Sequence, residues 1–557
     1  MKFSDLGRLL RTVKYLRAEQ IIGRLTFRLI KPRPDLSAPP PKRVASGTWA
    51  IPAQRKLSLV GPTEFKVLGT QCDVKLSGWD ADNMAKLTRY NFHYFDDLNA
   101  EGSASRRDWH QALISHWITE NPPCQGSGWE PYPLSMRIVN WIKWAQLPEV
   151  VLSSDMVASL ATQARYLNRR IEWHLLGNHL FVNAKALIFA GLFFEGPEAG
   201  EWLNKGLSIL KRELPEQILA DGGQFELSPM YHALAIEDLL DLLNIFQRYN
   251  QCLPASASKQ TDTCKNLLPQ MFDWLQIMSH PDGKISFFND TAFDIAPELS
   301  ELITYAENCE IELLETPGPG LHILPNSGYC RLAKGKAVAL LDLAAVGPDY
   351  LPGHAHADTL SFELSLHNQR LIVNGGTSVY GTETERHRQR GTRAHSTLNI
   401  NLADSSEVWG GFRVGRRAKV SDINYNVTAE SLTASANHRG YVHLHGRPVH
   451  QRSWKLEEQK LTVTDHIGGQ LSQQFEINFH LAPYIEVIAD RDNEIQLFDR
   501  NGKKIIHART SHPAGFQIIP GSWHPKFGVS VKNQCIRISA DGVAPLSVKT
   551  IFEWSDC

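Results

Sequence analysis

Two spacings of apolar residues divide the chain. From about residue 80 to 310 they recur every three or four positions. Val182, Ala186, Phe189 and Phe193 make one stripe, and Trp202, Leu203, Leu207, Leu210 and Leu214 a second. Tyr231, Leu234, Leu239, Leu243 and Phe246 continue the theme. Residues three or four apart share a helix face, so each stripe predicts an amphipathic helix. Successive helices with short connections predict stacked antiparallel hairpins, as in an α/α toroid. Near residue 327 the spacing becomes two. In LSFELSL, Leu360, Phe362, Leu364 and Leu366 alternate with Ser361, Glu363 and Ser365, and QFEINFHL repeats the alternation at Phe475, Ile477, Phe479 and Leu481. With Asn501-Gly502 as a hairpin turn, residues 327–557 predict a mostly antiparallel β-sandwich.

The fold class expected is therefore multidomain: an incomplete α/α toroid followed by an antiparallel β-sandwich. A chain of 557 residues exceeds one ordinary core. The divisions fall at 1–63, an N-terminal helix and extended linker; 64–325, the toroid; and 326–557, the sandwich. Residues 36–63, rich in Pro and Ser, read as the linker. Leu6, Leu9, Leu10, Val13 and Leu16 suit one face of a helix. An ordinary docking helix is one reading and a peripheral membrane helix the other.

Composition narrows the function classes. The net charge of −1 attracts no nucleic acid globally, so an acidic polymer needs a local basic patch. No apolar stretch reaches the length of a membrane span. The N-terminus lacks the apolar centre and cleavage site of a signal peptide, which predicts a cytoplasmic protein, or a periplasmic or secreted one if a signal was removed. Cys72, Cys124, Cys252, Cys264, Cys309, Cys330, Cys535 and Cys557 form no C-x-x-C pair, which fits a reducing compartment.

Three clusters gather reactive groups. Gly177-Asn178-His179 reads as a helix cap or as a polar pair at a site. In DGGQFELSPMYH (221–232), Ser228-Pro229 marks a helix start, and Tyr231 is a half-buried anchor or a reactive phenol. In GHAHAD (353–358), His354 and His356 would point the same way on a strand, an arrangement that favours metal binding or titration. A run of arginines in ERHRQRGTRAH (385–395) supplies the local basic patch, or else a solvated loop.

In this order the clusters resemble the heparinase II/III-like polysaccharide lyases and related alginate and broad glycosaminoglycan lyases. The similarity runs through GNHLFVNAKALIFAGLFF (177–194), residues 221–244, FFNDTAF (287–293), residues 351–382, RQRGTRAHSTLNI (388–400) and SSEVWGGFRVGRRA (405–418). The resemblance implies a toroid, a β-sandwich and an active site between them. It implies that Asn178 and His179 neutralise a uronate carboxylate, that Tyr231 is the catalytic tyrosine and that His354 is the catalytic histidine. It also implies a divalent metal, zinc or manganese, structural rather than redox, held by His356, position 374 and His395. The chain departs there: Asn374 stands in place of the usual Asp, and an amide is the weaker zinc ligand. Asp358 is a candidate second carboxylate behind one of the histidines.

The chemistry so implied is β-elimination on a uronate-containing glycan such as hyaluronan, chondroitin sulfate, heparan sulfate or alginate. The C5 proton is weakly acidic beside a carboxylate, so donors must stabilise the second charge that develops. Tyr231, with its pKa lowered by a nearby positive charge, would act as general acid, and as base too for syn geometry; His354 would serve as the other base. Trp129 could stack on a sugar and Arg137 could pair with a carboxylate or sulfate, or both belong to the core. Glu226 orients a neighbour or caps a helix, and Arg390 and Arg393 are further substrate contacts. The expected partner is an acidic polysaccharide. Two rivals are a metal-dependent glycan hydrolase built on GHAHAD, and a non-catalytic or biosynthesis-associated glycan-binding protein.

Overall fold

The computed structural model describes residues 3–555, so Cys557 lies outside the described residues. Two N-terminal helices, α1 (Phe3–Val13) and α2 (Ala18–Leu29), precede an extended segment that wraps the helical half. Its backbone is pinned at intervals: Arg43 N–H donates to Phe193 O, Ser46 N–H to Arg248 O, and Arg55 N–H to Asn99 O.

The helical half runs to Leu299–Asn308. Helix Gly177–Phe193 lies at its centre and is buried nearly all round, so the stripe at Val182, Ala186, Phe189 and Phe193 shows only part of its apolar surface. Helix Pro197–Gln217 packs on it, buries Trp202, Leu203, Leu207, Leu210 and Leu214, and leaves Glu201, Lys205 and Lys211 outside. Successive helices pack in this manner into an open α/α toroid.

Sheets begin at Gly320. A five-stranded antiparallel sheet runs in chain order from Gly320–Leu324 to Gln369–Ile372. An eight-stranded sheet and a four-stranded sheet follow, and one core of Phe362, Trp454, Val463, Ile477 and Ile536 draws on all three. In the eight-stranded sheet the last strand, Leu546–Glu553, inserts between Lys460–Gly468 and Lys504–Thr510. Asn501-Gly502 turns between the strands Glu494–Phe498 and Lys504–Thr510, with Gly502 at φ +73°.

The alternation in LSFELSL misstates one side of its strand. Ser361, Glu363 and Ser365 are as buried as the leucines, because that face meets the helical half. There His280 engages Glu363 at 2.8 Å and Ser365 Oγ at 2.7 Å. A cluster of Leu227, Trp274, Met278, Phe288, Tyr329 and Leu340 welds the two halves together. The described cysteines are free, and no described helix is long and apolar enough to cross a membrane.

Candidate active site

Asn178 and His179 open helix Gly177–Phe193. Gly177 adopts φ +56°, and a Cβ there would stand 2.3 Å from Leu351 Cδ2 and 2.9 Å from Glu226 Oε1. Glycine therefore lets the 351 loop and Glu226 close on this helix end. Asn178 N–H donates to Glu226 Oε1 at 3.2 Å. His179 Nδ1 lies 3.2 Å from Glu172 Oε2. Burial works to lower the His179 pKa, but the charge and hydrogen bond of Glu172 outweigh it and raise the value.

Tyr231 occupies the first turn of helix Pro229–Arg248, where the N-cap Ser228 accepts its N–H at 3.3 Å. Ser228 Oγ also donates to Asp290 O at 2.6 Å, tying the helix start to the 287–293 loop. The Tyr231 ring lies 3.9 Å from that of His354, and its hydroxyl is 3.0 Å from the Tyr380 hydroxyl. Burial, and then the neighbouring Tyr380, push the Tyr231 pKa well above the usual phenol range. The lowered pKa expected from sequence is thus reversed. The nearby guanidinium of Arg386 is committed to Asp290, and Tyr231 remains a neutral proton donor.

Asp290, which the sequence reading passed over, is the hub. His354 Nδ1 meets its Oδ2 at 2.9 Å, His356 Nε2 meets Oδ1 at 2.8 Å, and Arg386 grips both oxygens. Although burial opposes ionisation, Arg386 and the two histidines hold Asp290 well below the usual carboxylate range. Residues 353–358 form a loop, and the strand begins only at Phe362. His354 and His356 converge because one carboxylate binds both, not because a strand alternates. Asp358 does not serve the histidines; its Oδ2 accepts Asn289 N–H at 3.0 Å.

Glu226 bridges the halves, holding Asn178 N–H through Oε1 and lying 3.4 Å from His354 Nε2 through Oε2. Asn178, Tyr231 and Tyr132 line one cleft together with Lys185 and Arg55. Tyr380 is the other residue missed. Its position depends on a fold contact between residues 149 apart, for which NGGTSVYG carries no local pattern.

Four predicted substrate contacts lie elsewhere. Trp129 is 3% exposed, packs beside Trp117 and Tyr166, and donates to Asn121 O. Arg137 is fully buried with its guanidinium 3.8 Å over the Trp117 ring, and burial depresses its pKa strongly. Both belong to the helical core. Arg390 is buried and donates to Ala355 O and Gly411 O, so it braces the GHAHAD loop from behind. Arg393 pairs with Glu476 at 2.8 Å. Of the arginine run, Arg386 and Arg390 are buried on internal partners, while Arg388 and Arg393 stay exposed and paired with Glu385 and Glu476.

His356 Nδ1 and His395 Nε2 are 3.2 Å apart, a spacing two ligands of one ion could share. Asn374, however, has Oδ1 accepting Ser396 N–H and Nδ2 donating to Ser361 Oγ. Among the described residues no carboxylate, cysteine or third histidine completes the pair; the one such triad is Asp490, Glu494 and His507, on the far β-strands. The donor set lacks the anionic ligand that a zinc or manganese site of this type needs, and the residues do not fit the metal. A consistent hydrogen-bond order exists without one: His395 donates to His356, and His356 to Asp290. Burial lowers His395 to about 3 and His356 to about 4, so both stay neutral.

Comparisons with known proteins give the chain its family and fold. A profile of the heparinase II/III N-terminus matches residues 98–306, and one of the heparinase II/III-like C-terminal region matches residues 316–555. A heparin-sulfate lyase of Pedobacter heparinus is 29% identical over 268 residues, 44% of this chain and 39% of the relative. One from Bacteroides stercoris is 26% identical over 297 residues, 49% of this chain and 43% of the relative. The aligned stretch is less than half the length of either relative. The crystal structure of heparinase III superposes with a TM-score of 0.70 at 18% identity, covering 96% of this chain and 89% of the other. A heparan sulfate lyase structure from Pedobacter heparinus gives 0.60 at 18% identity, covering 96% and 88%. At such identities the structural likeness establishes the shared fold.

Proposed function

The chain belongs to the heparinase II/III-like family, and on that premise we propose that it is a polysaccharide lyase cleaving a uronate-containing glycosaminoglycan by β-elimination. One observation carries the reading: a phenol from the helical half lies with its ring 3.9 Å from an imidazole of the sheet half, and that phenol lines one cleft with Asn178. Asn178 and His179, whose pKa Glu172 raises, face the uronate carboxylate and stabilise its developing second charge. Asp290 accepts the His354 Nδ1 proton in a hydrogen bond, so Nε2, which faces Glu226 Oε2 at 3.4 Å, is the nitrogen that takes the C5 proton once substrate enters between them. As the C4–O4 bond breaks, Tyr231 gives its proton to O4 and a C4=C5 double bond forms. Tyr380, 3.0 Å away, can return a proton to the phenolate.

Heparan sulfate is the first substrate to try, since the curated relatives are named heparin-sulfate lyases. The hydrolase alternative loses support because Asp290, the carboxylate that binds both His354 and His356, is already paired with Arg386. The test incubates the protein with heparan sulfate, hyaluronan, chondroitin sulfate and alginate while following ultraviolet absorbance. A rise from the conjugated double bond is expected with at least one polymer. Chain shortening without that chromophore would establish a hydrolase, and retention of intact polymer a binding protein.

A further inference from the structure

The two N-terminal helices are mounted inside out. The face of α1 that meets the protein is polar: Arg11 forms a bidentate pair with Glu407 and Thr12 Oγ1 accepts Trp409 Nε1–H at 3.0 Å, while just beyond the helix Arg417 stacks on Tyr15. The opposite face carries Leu6, Leu10 and Val13, all exposed. Helix α2 repeats the arrangement. Gln20, Gly23 and Phe27 face inward, with Gln20 donating to Tyr350 O and Phe27 stacked 4.2 Å from His174. Ile21, Ile22, Leu25 and Leu29 face outward, and Leu29 is 78% exposed. An apolar stripe turned to water on two consecutive helices marks an interaction surface, not a core element.

Charge identifies the partner. Between residues 6 and 33 the exposed charged side chains are Lys14, Arg24, Arg28, Lys31 and Arg33, with no exposed acid among the described side chains. The acid in this span, Glu19, is bridged to Arg212 at 3.0 Å. The whole chain is nearly neutral, so the cationic excess is local. Cations flanking leucine and isoleucine suit a bilayer of anionic lipid, which offers phosphates above an acyl layer; a dissolved polyanion has no use for the apolar stripe.

We propose that α1 and α2 form a docking surface for an anionic membrane, inserting Leu6, Leu10, Ile22, Leu25 and Leu29 while the flanking arginines and lysines meet lipid phosphates. The proposal is independent of the chemistry in the cleft. The test is flotation of the full chain with vesicles of phosphatidylglycerol mixed with phosphatidylcholine, against phosphatidylcholine alone. The intact protein should partition about tenfold more strongly to the anionic vesicles. Ile22→Ser/Leu25→Ser/Leu29→Ser on α2 and, separately, Leu6→Ser/Leu10→Ser on α1 should each cut that partition about tenfold, with melting temperature and helical circular dichroism unchanged. Absence of flotation would overturn the proposal. So would serine variants that bind as well as the parent, which would mark a purely electrostatic polyanion site. A dimer in light scattering that the serine variants dissolve would make a second copy the occupant, with the same consequence.

Discussion

Tyr231 is held neutral, as the proposed general acid must be. Its hydroxyl is buried against Tyr380, and the cation within reach is held by Asp290, so nothing favours the phenolate at rest. Tyr231→Phe is expected to lower kcat by about 10²- to 10⁴-fold with the melting temperature unchanged; a variant that keeps most of its activity would remove Tyr231 from the reaction. His179 behaves in the opposite sense. Glu172 raises its folded pKa above the ordinary value of about 6.5, so the pair's stabilisation is complete below that value and is lost as pH rises through the raised pKa. Glu172→Gln should flatten this part of the melting-temperature profile and shift the alkaline limb of activity to lower pH. Identical profiles for the two proteins would show that the charge pair plays no part. At this scale the motifs around Tyr231 and His354 pointed to two residues that the fold brings into ring contact. Asp290 was not legible, since a lone aspartate in FFNDTAF acquires its meaning only when His354, His356 and Arg386 arrive from elsewhere.

Elements place these residues through their ends. The start of helix Gly177–Phe193 depends on a positive φ at Gly177 and on contact with Leu351 and Glu226. Gly177→Ala should cost about 1–3 kcal/mol and reduce kcat, because the helix end must back away from the loop; denaturant melts and steady-state rates would reveal an unchanged protein if the contact were loose. The GHAHAD loop is a second such end. With Asn374 bonded to Ser361 and Ser396, the His356–His395 pair is expected to hold the loop through hydrogen bonds. Dialysis against a chelator should then leave both rate and melting temperature as they were, and a drop in either that added zinc reverses would overturn this. Reading His354 and His356 as strand neighbours failed because two histidines spaced by one residue look alike on a strand and in a loop, whereas a shared carboxylate is invisible in the local sequence.

On the scale of the whole molecule, the cleft exists because the toroid and the sandwich are bonded along their seam. Asp221 is one such bond: its Oδ2 accepts Asn326 N–H at 2.8 Å, and Ser327 N–H at 2.7 Å and Oγ–H at 2.9 Å. Asp221→Ala would orphan these donors at about 1–3 kcal/mol for each that stays dry. A lower melting temperature accompanied by a fall in kcat is expected, and full activity in a destabilised protein would separate the seam from the site. The change of apolar period near residue 327, the Asn501-Gly502 turn and the Ser228-Pro229 helix start are short-range matters of φ/ψ preference and of which face is oily, so the sequence by itself determined the helical and the sheet half and these local features. Only the tertiary structure decided that Trp129 and Arg137 serve the core, that Arg386 and Arg390 turn inward, and that Asp290 joins His354 to His356. Each of those outcomes depends on which distant side chain occupies the few ångströms around a group, and no spacing along the chain encodes that.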